Sequence, residues 1–342
     1  MPALSRRAAR GRHGAAAWSL AKRIAPWLLA LVVLALIAHE ATRVDWPQVL
    51  HALAQVPARV LALAAVLALL SHALFSTYDL VARHQTGHRL STSRTLGIAA
   101  VCYAFNLNFG SLVGALAMKL RLYARAGLRA REVARIIVVA IVTNWVGYLA
   151  LGGAVLAFAP PPLPPQITLS EPTVRAIGAA MVGTAVAYLL LCAWRHGREF
   201  SWRGQRFAWP SLRVALWQLA VSMLNWALMG VVVWVLLRQA APYTTVLAVL
   251  LLAAIAGVAT HVPAGLGVIE AVFVACLGSA LPPAHVLAAL ISYRALYYLV
   301  PLALASIGYA TAEATLRRAA SIRRAGEPAD AGAQPKGTRT PP

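Results

Sequence analysis

Two ionisable side chains stand inside long apolar stretches of this 342-residue sequence. Glu270 follows the run Pro263-Ala264-Gly265-Leu266-Gly267, and Arg294 lies about nine residues into the last apolar segment, roughly 13 Å along a helix. A carboxylate in hydrocarbon costs several kcal/mol unless it is paired or hydrated. Glu270 and Arg294 are therefore each other's obvious partners. The pair could be a structural lock between the break and the last segment, or a group that gates or couples ligand movement. A second cluster comprises Asn106, Asn108, Gly110, Ser111 and Gly114, followed by Lys119 and Arg121. Two cations near a headgroup plane suit a phosphate, because Arg forks two oxygens at once. The same two residues also fit ordinary positively charged cytoplasmic flanks.

The remaining acids are few enough to place one by one. Glu40, Asp45, Glu132, Glu171, Glu199, Glu327 and Asp330 fall in loops or tails. Glu313 sits near a helix end, and Asp79 lies at the inner end of a span, within reach of headgroups or a loop arginine. His72, Asn144 and Asn225 are mid-span polar residues of the kind that hydrogen-bond between helices. Cys102, Cys192 and Cys276 lie in apolar segments without a CxxC neighbour, so neither a disulfide framework nor a zinc site is expected. GxSxG, HExxH and P-loop patterns are absent, and the sequence implies no enzyme, metal or cofactor.

The elements that must position these residues are membrane helices. The chain is 60% hydrophobic and 12% charged, about half the charge of a soluble domain. Its mean hydropathy is +0.69. Lys and Arg total 31 against 10 acids, giving a net charge of +21. The basic residues lie between apolar spans and at the two ends, so anionic phospholipid is the expected partner rather than nucleic acid. Self-association is left open.

Six full spans are expected, at roughly 24–39, 59–82, 134–158, 173–194, 212–237 and 285–315. They form one transmembrane domain, 24–316, between a basic arm at 1–23 and a disordered tail at 317–342. Residues 95–118 are long enough to cross, yet the basic loops on both sides belong to the cytoplasm, which predicts a re-entrant hairpin there. Residues 243–281 form a second broken unit, helical to about Thr260 and interrupted at 261–267, which reads either as two short spans or as an external re-entrant hairpin. The two broken units enter from opposite faces, the arrangement of inverted repeats. The fold class is an all-α polytopic bundle in the bacterial inner membrane with both termini cytoplasmic.

Two stretches carry a resemblance. They are Phe105-Asn106-Leu107-Asn108-Phe109-Gly110-Ser111-Leu112-Val113-Gly114 with Lys119-Leu120-Arg121-Leu122-Tyr123, and Pro263 through Ala271 with Tyr293-Arg294 and Pro301 downstream. Over roughly 20–315 the sequence resembles the YbhN-like, lysylphosphatidylglycerol synthase transmembrane-region family. Ala264 stands where the family pattern would have Gly, and Lys119 where Arg is commoner. Neither change removes the backbone break or the charge. The resemblance implies kinship with the lipid-flipping half of aminoacyl-phosphatidylglycerol synthases, without the soluble transferase domain. It implies binding and translocation of a phospholipid or other lipid by Asn106, Asn108, Gly110, Gly114, Lys119, Arg121, Pro263, Gly265, Gly267, Glu270 and Arg294. The alternative is a non-transporting assembly or regulatory partner in envelope lipid homeostasis.

Overall fold

A computed structural model describes residues 45–110, 116–161, 168–202, 205–260 and 262–325. The expected first span at 24–39, the arm, the tail from 326 onward, Ser111 and Gly114 lie outside the described residues, whereas 317–325, expected as the start of a disordered tail, are helical. The chain runs α1 (Trp46–Ala54), α2 (Ala58–Ser76), α3 (Tyr78–Thr86), α4 (Thr92–Gly110), α5 (Met118–Arg125), α6 (Ala130–Phe158) and α7 (Glu171–Arg195). A hairpin of β1 (Glu199–Trp202) and β2 (Gln205–Ala208) follows. Then come α8 (Leu212–Leu236), α9 (Tyr243–Thr260), a tight turn (Pro263–Gly265), α10 (Val268–Leu277), α11 (Pro283–Tyr293), a π-helical segment (Arg294–Leu299) and α12 (Val300–Ala325).

Local chemistry sets several boundaries. The Asp45 side chain accepts from Gln48 N at 3.1 Å and starts α1, with Pro47 in its first turn. Ser170 and Ser211 do the same for α7 and α8. Gly87, at φ 69°, ends α3, and Gly110, at φ 78°, ends α4.

Among the described residues, six segments are long and apolar enough to cross a membrane: Ala58–Thr86, Ala130–Phe158, Glu171–Arg195, Leu212–Leu236, Tyr243–Thr260 and Pro283–Thr315. This is a polytopic helix bundle, as the composition predicts. Many large apolar side chains face outward, among them Leu190, Trp194, Trp217, Leu304 and Ile307. Exposure on that scale is rare on a soluble monomer and fits a lipid-facing surface. The core collects Ala64 and Ala68 of α2, Val232 and Val233 of α8, Leu250 of α9, Phe273 of α10, and Leu290 and Tyr293 of α11. The alanines allow close approach of the helices. Gly153 and Gly178 bring α6 and α7 into backbone contact, where a Cβ on either would strike the other helix.

Residues 243–260 are one continuous helix of spanning length, as read from the sequence. Two further features depart from that reading. The basic loop after α7 folds into the β1–β2 hairpin, where a plain loop was expected. The last span changes its winding at Arg294, which nothing in its apolar pattern predicts.

Candidate functional site

The end of α4 and the turn that follows α9 pack against each other. Helix α4 stops at Gly110 after 19 residues. Helix α9 stops at Thr260, and the chain turns back through 262–267 into the ten-residue α10, which packs along it. The turn packs against α4. Three residues in it are left-handed: Ala264 (φ 57°), Gly265 (φ 56°) and Gly267 (φ 73°). Glycine takes such angles freely, but Ala264 does not.

Arg294 ties this turn together. Its Nε and Nη2 donate to the two carboxylate oxygens of Glu270, the latter at 2.9 Å. Its Nη1 donates to the Ala264 carbonyl at 3.0 Å, and Nη2 to the Gly265 carbonyl at 2.8 Å. Glu270 is in the first turn of α10, where a helix N-terminus favours a negative charge. The two side chains are 17% and 15% exposed. The pairing that the sequence suggests is therefore a cross-link between break and last span, and it also satisfies two carbonyls the break leaves orphaned.

The last span answers with a break of its own. From Arg294 to Leu299 it is π-helical, and its carbonyls reach outward to side chains of other helices. Tyr297 O accepts from His72 Nε2 at 2.9 Å, and Tyr298 O accepts from Asn108 Nδ2 at 3.1 Å. π-turns inside helices recur at functional sites. Deeper lies a directional chain of hydroxyls. Ser71 Oγ donates to Asn225 Oδ1 at 2.8 Å, so it accepts from Tyr297 OH, also at 2.8 Å. Tyr297 OH in turn lies 3.0 Å from Tyr103 OH. Asn225 and His72 are thus interhelical hydrogen-bond partners, as read from the sequence. Asn106 is half-buried and makes no side-chain hydrogen bond with a described residue.

The basic end of the bundle corrects two expectations. Asp79 does not reach headgroups; it is 1% exposed. Lys119 Nζ meets its Oδ1 at 2.5 Å, and Tyr123 OH donates to its Oδ2 at 2.7 Å. Lys119, 6% exposed, is held by this carboxylate and is not presented as a headgroup cation. The physical reason is that α5 folds back against α4 and α6, carrying Lys119 inward. Arg121, on the same helix, stays exposed and sits over the Tyr309 ring, 5.6 Å from its centroid. One turn on, Arg125 forks both oxygens of Glu313. Arg121, Asn106, Asn108, Gly110, the 263–267 turn, Glu270 and Arg294 thus lie on elements that meet around α12 and its π segment, while Lys119 belongs to a separate buried triad. Among the described residues no group of three His, Cys, Asp or Glu could hold a metal.

Comparison with known proteins agrees with this architecture. The sequence profile named Lysylphosphatidylglycerol synthase TM region matches residues 23–305. Inner membrane protein YbhN of Escherichia coli (strain K12) is 38% identical over 302 residues, covering 88% of this chain and 95% of that protein. An uncharacterized protein of Synechocystis, slr0712, is 28% identical over 319 residues, 91% of this chain and 98% of that one.

Proposed function

The chain belongs to the lysylphosphatidylglycerol synthase TM region family, and on that premise we propose that it binds an anionic phospholipid and moves it between leaflets of the bacterial inner membrane, with both termini cytoplasmic. No catalytic step is assigned to it. A headgroup crossing hydrocarbon needs polar company at depth. The observation that carries the reading is that the end of α4 meets both the broken turn after α9 and the π segment of the last span, so irregular stretches of backbone gather in one place. Irregular backbone at membrane depth is tolerated only where protein shields it or where it lines a path. The half-buried, unengaged Asn106 amide is the donor on α4 best suited to follow a passing headgroup. Arg121 is the cation at the entrance, exposed where Lys119 is buried.

The test is movement of fluorescent phosphatidylglycerol across proteoliposomes of the purified chain, read by dithionite quenching. Faster equilibration than in protein-free vesicles is expected. Arg121→Gln should slow it, more at low ionic strength than at high. Equal rates with and without protein would remove the transport reading. They would favour a non-transporting scaffold, for which the closed Glu270–Arg294 and Asp79–Lys119 pairs are the supporting observation.

A further inference from the structure

At the end of the bundle remote from Arg125 and Glu313 lies an open cleft of about 470 Å³. Its walls come from three elements far apart in sequence: α1, the loop after α8, and the start of α11. Helix α1 contributes Gln48, His51, Ala52 and Gln55, which at spacings of three and four form one face of the helix. Arg238 and His285 close the other sides.

We propose that this cleft is a binding site for the phosphate of an anionic lipid headgroup in the outer leaflet. Four observations carry it. The Arg238 guanidinium takes part in no ion pair or side-chain hydrogen bond with the described residues, whereas Arg175, at the same end, is committed to Glu171 and to the Ala157 carbonyl. Arg238 also sits on a backbone turned left-handed at two successive non-glycine residues, Arg238 (φ 54°) and Gln239 (φ 60°), a conformation that costs free energy. His51 and His285 add two imidazoles, and the Gln55 amide donates to His51 Nε2 at 2.8 Å, which leaves the ring proton on Nδ1. The local balance is basic: the acid on these elements is Asp45, and its carboxylate is engaged at the N-terminus of α1.

The position of α1 identifies the source of the anion. Val49 is buried against the bundle, while Trp46 and Leu50, one turn apart, are 47% and 61% exposed on another face. An amphipathic helix with an outward Trp and Leu lies in the interface plane. Its cleft face therefore opens at headgroup level. A planar guanidinium matches two phosphate oxygens, and the amides and imidazoles offer donors to the rest of a hydroxylated headgroup. This deepens the transport reading by giving it a receiving site, but binding here does not require transport.

The experiment is titration of the full chain, in neutral detergent, with dihexanoyl-phosphatidylglycerol, dihexanoyl-phosphatidylcholine and inorganic phosphate, followed by calorimetry. The expected result is saturable binding of the phosphatidylglycerol, reduced tenfold or more by Arg238→Gln and little changed by Arg175→Gln, whose guanidinium is already held by Glu171 and the Ala157 carbonyl. Ala284→Trp, which fills the cleft and leaves every charge in place, should abolish the same binding and covers the case in which the first variant misfolds. Affinity for inorganic phosphate equal to that for the lipid would overturn the lipid as source. Binding kept in both Arg238→Gln and Ala284→Trp would overturn the site. Protein that binds through Arg238 but fails the dithionite assay retains this site and loses the transport reading.

Discussion

Replacing Lys119 by Met tests the buried triad at the basic end. The substitution keeps the aliphatic stem and removes the ammonium, which leaves the Asp79 carboxylate 1% exposed with Tyr123 OH as its remaining partner. Breaking a buried pair by removing one member costs about 3–5 kcal/mol. At about 2 °C per kcal/mol for a chain of this size, the unfolding midpoint should fall by roughly 6–10 °C. Tyr123→Phe removes one hydrogen bond to a charged acceptor, worth about 1.5–3 kcal/mol, and should lower the midpoint by roughly 3–6 °C. Asp79→Asn combined with Lys119→Met removes both charges and keeps an acceptor for Tyr123, so it should recover most of the loss. The assay is monodispersity in detergent after stepped heating, read by size exclusion. A Lys119→Met protein as stable as the parent would refute the pair. A double variant no better than Lys119→Met would show that the loss comes from packing of the Lys119 stem.

The same assay separates the partners at the break. Arg294→Gln should destabilise more than Glu270→Gln, because it strands a carboxylate and two carbonyls, whereas losing Glu270 leaves Arg294 bonded to Ala264 and Gly265; equal losses would reduce the interaction to a simple pair. Gly178→Val drives a side chain into the backbone of Gly153 and Ala157 and should cost about 1–3 kcal/mol, while Gly183→Val, in open space, should be silent. His88, in the loop after α3, is 9% exposed with neither ring nitrogen hydrogen-bonded among the described residues. Desolvation and then the nearby Arg83 hold its pKa below the ordinary 6.5. The unfolded chain therefore takes up the proton first, so stability should fall as pH drops below 6.5 and level off once the folded-state pKa is passed. His88→Gln should flatten that slope, and an unchanged pH profile would show that His88 is not its source.

The legible parts of the sequence are those where a physical cost is written in residue types. Pro and Gly at 263–267 cannot continue a helix, and a Glu and an Arg in apolar surroundings must find each other, so the break and its ion pair are readable in advance. The burial of Asp79 is not legible, for a different reason. Its partner is 40 residues away on another helix, and a carboxylate near a span end looks solvated until the tertiary fold covers it. The same folding-back hides Lys119 and leaves Arg121 exposed, although the two are neighbours of equal charge. The cleft is invisible in sequence because His51, Arg238 and His285 sit on a helix, a loop and another helix far apart in the chain, and only the tertiary fold brings them together.

The π segment also affects how the last span is counted. A wide turn takes up one residue more than an α-turn covering the same angle. Helices α11 and α12 therefore keep their faces as if the chain between them were one residue shorter, and Tyr309 and Glu313 point at Arg121 and Arg125 in that shortened phase. Deleting one residue within 295–299 would let this stretch rewind as plain α-helix without rotating either flank. The carbonyls of Tyr297 and Tyr298 would then fold back into the helix and release His72 and Asn108. Such a span would stay straight and in register, yet lose its grip on α2 and α4. The extra residue thus acts as an insertion whose disturbance stays confined to the turn that holds it.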